Sequence, residues 1–227
     1  MSAALQPVDP ANDTQTRQRI LLAAERLFAR LGYGATSLRA IMAEANVNTA
    51  SVHYYFGGKA ALLRAIFDMR VGATNAEREQ LLDECERAAG KRAPQLRGLL
   101  EAFFGPAIRM SRSAEGQDFN QITALCSVDP DPELRKIVHD AYDQLARRFI
   151  ILLRRACPQL DESTLYWRLH CMYGSMMYVR TQNGRVDYLL GDASGGLTAE
   201  EILDELVAFV EAGFLAPSKA RPRKKSR

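Results

Sequence analysis

The stretch TSLRAIMAEANVNTASVHYYFGGK, from Thr36 to Lys59, decides the fold. Thr36 or Ser37 supplies a hydroxyl able to cap a helix start. Leu38, Ile41 and Met42 form the buried side of that helix. Ala45-Asn46-Val47 makes a turn, and asparagine is one of the few non-glycine residues that tolerate a left-handed backbone. Asn48 or Thr49 caps a second short helix running to about Phe56. Gly57-Gly58 breaks it, and Lys59 opens the next helix. Two short helices around a tight turn form a helix-turn-helix pattern.

Outward from this stretch the chain keeps a helical period. Ile20, Leu21, Ala24, Leu27, Phe28 and Leu31 share one face of a helix beginning near Asp13, and Gly32-Tyr33-Gly34 ends it. Beyond Lys59 the pattern predicts helices over 59–88, 96–112, 119–128, 133–157, 161–182 and 198–213. Residues 184–198 contain four glycines and read as a loop. Thr198 caps the last helix, with Glu201 in the capping-box position. No segment alternates strictly. The expected fold is all-α, with about nine helices.

The bulk numbers fit this reading. The 227 residues are 47% hydrophobic and 25% charged, ample for a core in an ordinary globular chain. The net charge of +3 is unevenly spread: the stretch Ser218–Arg227 alone carries six basic residues and no acid. Residues 12–60 are net basic, and residues 61–217 are net acidic. A basic module on an acidic body suits a partner that is a polyanion. The four cysteines form no C-x-x-C pair and histidines number three, which predicts no metal site and no cofactor. The N-terminus lacks a basic-then-apolar leader and no apolar run approaches a membrane span, so a cytoplasmic protein without membrane contact is expected. No nucleophile elbow, phosphate loop or metal-ligand spacing points to an enzyme.

Arg19 to Leu63 resembles the DNA-binding domain of TetR-type transcriptional regulators. The resemblance lies in ILLAAERLFARLGYGATSLRAIMAEANV, the aromatic cluster HYYF, Lys59 and Leu62-Leu63. It implies an N-terminal three-helix helix-turn-helix domain and a C-terminal helical domain that binds a small effector and forms a homodimer. The expected division is a flexible arm (1–12), a DNA-binding domain (13–60), an effector-binding and dimerisation domain (61–215) and a disordered basic tail (216–227). The tail is either a solvated extension or a salt-sensitive nucleic-acid contact.

A helix fits the major groove of B-DNA, where residues near its N-terminus reach base edges. By position in the family motif, Arg39, Asn48, Thr49, Ala50 and Tyr54 are base-facing. Thr36 and Ser37 place hydroxyls at a helix N-terminus, which favours a phosphate. Ser51, His53, Tyr55 and Lys59 match the family's phosphate-contacting positions. Two departures are visible: His53 stands where the family has tyrosine, and Gly57-Gly58 replaces Pro-Ser.

In the C-terminal part, Phe103, Phe104, Met110, Phe119, Tyr142, Trp167, Met172, Tyr173 and Met176 are candidate effector-pocket residues. Aromatic and methionine side chains line apolar pockets and equally fill bundle cores. The run AIFDMRVGATNAEREQLLDE resembles the fatty-acid-responsive PsrA-like branch, which implies an acyl or other apolar effector. Met172, Tyr173, Met176, Val179, Ile202, Leu206, Phe209 and Val210 lie at helical spacing on the last two long helices and are the expected dimer seam. The expected function is a ligand-responsive regulator, a repressor released from a pseudo-palindromic operator by its effector. The alternative is a redox sensor using Cys126, Cys157 or Cys171.

Overall fold

Apolar residues recurring every three to four positions bury a stripe on most of the helices, and every regular element among the described residues is a helix. The computed structural model describes residues 10–48, 54–114, 116–181, 184–191 and 196–217. Among them are α1 (Pro10–Leu31), α2 (Leu38–Ala45), α3 (Lys59–Ala89), α4 (Leu96–Arg112), α5 (Gln117–Ser127), α6 (Pro132–Ala156), α7 (Glu162–Thr181), α8 (Arg185–Leu190) and α9 (Ala199–Leu215). Residues 54–56 are also helical, and no strand occurs among the described residues.

Two expectations shift. The first helix starts at Pro10, three residues ahead of Asp13, because proline's fixed φ and missing N–H suit a first turn. The expected 184–198 loop contains the six-residue helix α8, which buries none of its residues. Its brevity left no periodic signal among the surrounding glycines.

The chain divides into two compact units. One holds the described residues up to Ala73 with Ala114–Asp143; the other holds Thr74–Ser113 and the residues from Gln144 onward. In the first, Ile20, Leu21, Ala24, Leu27 and Phe28 of α1 are buried with Ile41 and Met42 of α2 and Leu62, Leu63, Ile66 and Phe67 of α3. Leu31, expected on that face, is exposed at the end of its helix. Phe119 of α5 meets the Phe67 ring edge-on at 5.0 Å. Within this apolar core sits one ion pair. Arg70 donates twice to Glu25, both bonds 2.7 Å, and Glu25 is buried.

In the second unit α4, α7 and α9 pack on one another. Phe103 stacks on Phe149 at 4.1 Å amid Leu99, Leu152, Met172, Val207 and Phe214. Gly105 allows α9 close to the α4 backbone: a Cβ there would lie 3.3 Å from Leu203 Cδ2. α7 and α9 run antiparallel, for Arg168 near the start of α7 donates to the Phe214 and Ala216 carbonyls at the end of α9. The expected capping box opens α9: Thr198 Oγ1 accepts from the Glu201 N–H and the Glu201 carboxylate accepts from the Thr198 N–H. The Thr198 N–H foremost, and then the Thr198 hydroxyl, donate to the Glu201 carboxylate and hold it below its ordinary pKa.

Breaking one partner of the buried pair strands a charge. Glu25→Gln or Arg70→Met should lower unfolding free energy by about 3–5 kcal/mol in urea denaturation, and the double variant Glu25→Leu/Arg70→Met should recover most of it. Equal losses in single and double variants would show that the pair contributes nothing beyond packing. Asn46 has φ 53° and ψ 52°. Asn46→Val should therefore cost about 1–2 kcal/mol, whereas Asn46→Gly should leave the melting temperature unchanged or slightly raised.

Candidate DNA interface

The turn between α1 and α2 is built by hydrogen bonds inside the first unit. The Gly32 N–H donates to the Phe28 carbonyl at 3.0 Å and closes α1. The Tyr33 ring packs on Phe28, centroids 5.3 Å apart. Thr36 is only 1% exposed. Its hydroxyl donates inward to the Gly32 carbonyl at 2.8 Å, with the Leu27 carbonyl at 3.2 Å. Ser37 is therefore the cap: its Oγ accepts from the Ala40 N–H at 3.1 Å and remains on the surface. Of the two hydroxyls expected at this helix start, the Ser37 side chain faces solvent and the Thr36 side chain does not.

α2 ends as the sequence predicts. Asn46 takes the left-handed conformation, its N–H donating to the Ala43 carbonyl at 3.1 Å and the Val47 N–H to that of Met42 at 3.0 Å. Arg39 and Asn48 are exposed. Thr49, Ala50, Ser51 and His53 lie outside the described residues.

The aromatic run at 54–56 splits three ways. Tyr54 is 73% exposed. The Tyr55 hydroxyl donates to Asp13 at 2.5 Å, and this bond to the carboxylate raises the phenol pKa. Phe56 is buried at the core edge beneath the Arg17 guanidinium, 5.1 Å from its ring centroid. Gly57 follows with φ +73°, a conformation closed to the proline of the family pattern. The Leu62 N–H then donates to the Gly58 carbonyl at 3.0 Å as α3 begins.

Lys59, the first residue of α3, reaches back to the α1–α2 turn. Its ammonium donates to the Tyr33 carbonyl at 2.8 Å and the Thr36 carbonyl at 3.0 Å, 4.3 Å from the Tyr33 ring centroid. Two of its three N–H bonds are thus engaged within the protein. No local pattern marks this clamp, nor Asp13 as the partner of Tyr55, since both join residues more than twenty positions apart.

The candidate effector residues do not converge on one cavity. Phe103, Phe104, Met172 and Met176 are buried in the core of the second unit, with Tyr173 packed against it. Met110 is half-buried in that unit, and Trp167 is exposed beside Tyr166 and His170. Phe119 and Tyr142 belong to the first unit. A groove of about 740 Å³ opens instead along α7 and α9, bordered by Arg112, Tyr178, Val186, Leu197, Glu205 and Phe209.

The expected seam residues also divide. Met172, Met176, Leu206 and Val210 point into their own protomer's core; Tyr173, Val179 and Ile202 are half-buried; Phe209 is 70% exposed. Helical spacing identifies an apolar face but not which way it turns. Here the large outward apolar side chains of these helices are Tyr166, Trp167, Tyr178, Phe209 and Leu215.

Cys126 and Cys157 are buried, and burial pushes both thiols up, Cys126 to about 11. Arg154 and Arg155, neighbours of Cys157 in sequence, are paired with Glu162 and Glu86 at 2.8 Å. Cys171 is exposed on α7. Among the described residues no cluster of His, Cys, Asp and Glu could hold a metal ion, and no helix is long and apolar enough to cross a membrane.

Comparison with known proteins agrees with this geometry. Residues 20–66 match the profile of bacterial regulatory proteins of the tetR family, and residues 101–213 match the tetracyclin repressor-like C-terminal domain. The HTH-type transcriptional regulator LmrA of Bacillus subtilis (strain 168) is 29% identical over 144 residues, 62% of this chain and 72% of LmrA. The fatty acid degradation regulator FadR of Bacillus halodurans shares the fold with a TM-score of 0.59 at 15% identity, over 92% of this chain and 97% of that one. A transcriptional regulator from Saccharomonospora viridis in complex with choline does so with a TM-score of 0.53 at 19% identity, over 87% and 96%. With its helix-turn-helix and its C-terminal helices both matched, the chain belongs to the TetR family of DNA-binding transcriptional regulators.

Proposed function

We propose that this regulator is a homodimeric repressor that holds a pseudo-palindromic operator and is released by a small, largely apolar effector. The observation that carries this reading is the Lys59 clamp. The first residue of α3 is bonded to the turn that presents α2, so any displacement of α3 is felt by the reading head. The same helix continues without a break to Leu82, which is buried in the core of the second unit. An effector with different affinities for two placements of α3 would shift the population between them.

Residues 13–60 form the DNA-reading head, and residues 61–215 bind the effector and dimerise. Arg39, Asn48, Thr49, Ala50 and Tyr54 read bases. Ser37, Ser51, His53, Tyr55 and Lys59 hold phosphates, while Thr36, first expected among them, supports the turn from inside. The exposure of Arg39 and Tyr54 supports this assignment.

The effector is proposed to be acyl or similarly apolar, entering where Phe103, Met172, Tyr173 and Met176 pack. Methionine side chains re-pack readily, so such a site can open on binding. The Bacillus halodurans relative regulates fatty acid degradation, which favours this chemistry; choline, bound by the Saccharomonospora viridis relative, is the rival to be tested beside it. Burial weakens the redox alternative at Cys126 and Cys157, because the reactive species of a cysteine is its thiolate, and leaves exposed Cys171 as its candidate.

Footprinting on the chain's own upstream DNA, with and without effector candidates, tests the proposal. A protected palindrome lost on adding an acyl ligand supports it; no specific protection under any condition overturns it. Lys59→Ala should weaken binding to operator and random duplex alike and lower stability by about 1.5–3 kcal/mol, from the lost charged hydrogen bonds. Arg39→Ala should instead cost about 1–3 kcal/mol on the operator and relax preference at one base pair.

Thiol labelling separates the alternative. Cys171 should react with iodoacetamide at pH 8 in the native protein, while Cys126 stays protected until the pH nears 11 or the chain unfolds. The sign follows from linkage. Below about pH 9 the thiol is neutral in both states; as pH rises toward 11 only the unfolded thiolate forms, so stability falls across that window. Rapid modification of native Cys126 at pH 8 would reopen the redox reading.

A further inference from the structure

Among the described residues, no apolar burial accounts for α8. It has six residues, and isolated helices shorter than about 12–15 residues are marginal in water, so a short helix relies on burying an apolar face. α8 buries none of its residues. Tyr188, Leu189 and Leu190 are all exposed, Tyr188 by 84%. Val186 and Asp187, on the same helix, border the groove of about 740 Å³ between α7 and α9. The chain thus carries an open apolar groove and, at its edge, an uncovered apolar helix.

We infer that α8 is an intersubunit latch: Tyr188, Leu189 and Leu190 of each protomer dock into the α7–α9 groove of a second copy. The inference rests on the homodimer proposed above and adds to its seam a contact made by neither long helix. Three observations favour a second copy as occupant. First, the exposed apolar surface of this region is of interface size. Tyr166, Trp167, Tyr178, Tyr188 and Phe209 are each about half exposed or more. At 150–250 Å² per aromatic side chain they offer roughly 600 Å², and the neighbouring Leu and Val residues bring this near the ~800 Å² per partner that stable interfaces bury.

Second, the surface is self-complementary in shape. A groove and a protruding apolar helix side by side on one protomer are what a two-fold axis pairs, groove to helix and helix to groove. Third, the groove carries both signs of charge, with Arg112 set against Asp187 and Glu205. A patch that meets itself across a dyad needs both signs to avoid like-charge repulsion. Aromatic and leucine side chains around a few charges form the usual pattern of a buried interface centre with a polar rim.

Sedimentation equilibrium on the full chain tests the latch. The double variant Leu189→Glu/Leu190→Glu should raise the dimer dissociation constant by roughly thirtyfold or more, the effect of losing an interface hot spot. Its far-UV circular dichroism should match wild type, because α8 supports no intraprotomer core. Phe209→Glu, on α9, borders both the groove and the expected seam and is the reference variant that should break the dimer whichever contact dominates. Dissociation by Phe209→Glu with an unchanged dimer in the α8 double variant would overturn the latch and leave the dimer reading standing. A wild-type chain that is monomeric at all concentrations would overturn both. A benzophenone photocrosslinker at position 189 gives a second readout. A covalent dimer joined to residues around Tyr178 or Phe209 is expected, and crosslinks confined to one protomer would contradict the latch.

Discussion

One ammonium group sets the geometry of the reading head. Lys59 is shared between the Tyr33 and Thr36 carbonyls, and those carbonyls sit in the turn that ends at the Ser37 cap. Without it, the start of α3 would lose these directional ties to the α1–α2 turn, and apolar contacts, being non-directional, would not replace them. The hydrogen bonds supply the direction. Thr36 completes the arrangement from beneath, its hydroxyl turned inward to the Gly32 carbonyl. A position that looks like a phosphate contact from its neighbours in sequence is here part of the support.

Two further polar ties work at other corners of the same unit. The Glu25–Arg70 pair crosses α1 to α3 through a buried site, and the Tyr55–Asp13 bond anchors the aromatic run to α1. Their energetics differ. Charge-assisted and with its carboxylate buried, the first is costly to break from one side and cheap to replace from both. The second is partly solvated and worth less, but it fixes which way Tyr54 and Phe56 face: one toward solvent, the other toward the core. Together they turn a loose apolar cluster into a head with one orientation.

Local chemistry was readable from the sequence; long-range partnership was not. The left-handed Asn46, the Thr198–Glu201 box and the full span of α4 follow from residue types acting within a few positions. The clamp at Lys59 and the Asp13–Tyr55 bond join distant residues and leave no periodic trace. The apolar faces of α7 and α9 show a different limit. Both helices carry apolar residues on two sides, and α7 has almost no net amphipathic bias, so spacing could not choose between Met172 and Tyr178 as the inward side chain. Packing chose: unbranched methionine fills the core beside Phe103, and the large aromatics with polar tips stay outside.

The contrast between the two units bears on how such a molecule can switch. A close-packed aromatic and methionine core resists gradual deformation and moves between discrete arrangements. Hydrogen bonds in a partly exposed head exchange partners at small net cost, about 0.5–1.5 kcal/mol each, because water or another acceptor replaces what is lost. Lys59 lies at that exchange point. Its ammonium can keep its two carbonyls and offer a third N–H to a phosphate, or release them when α3 moves. On the proposed function, binding and release of DNA would differ by the fate of this one cation.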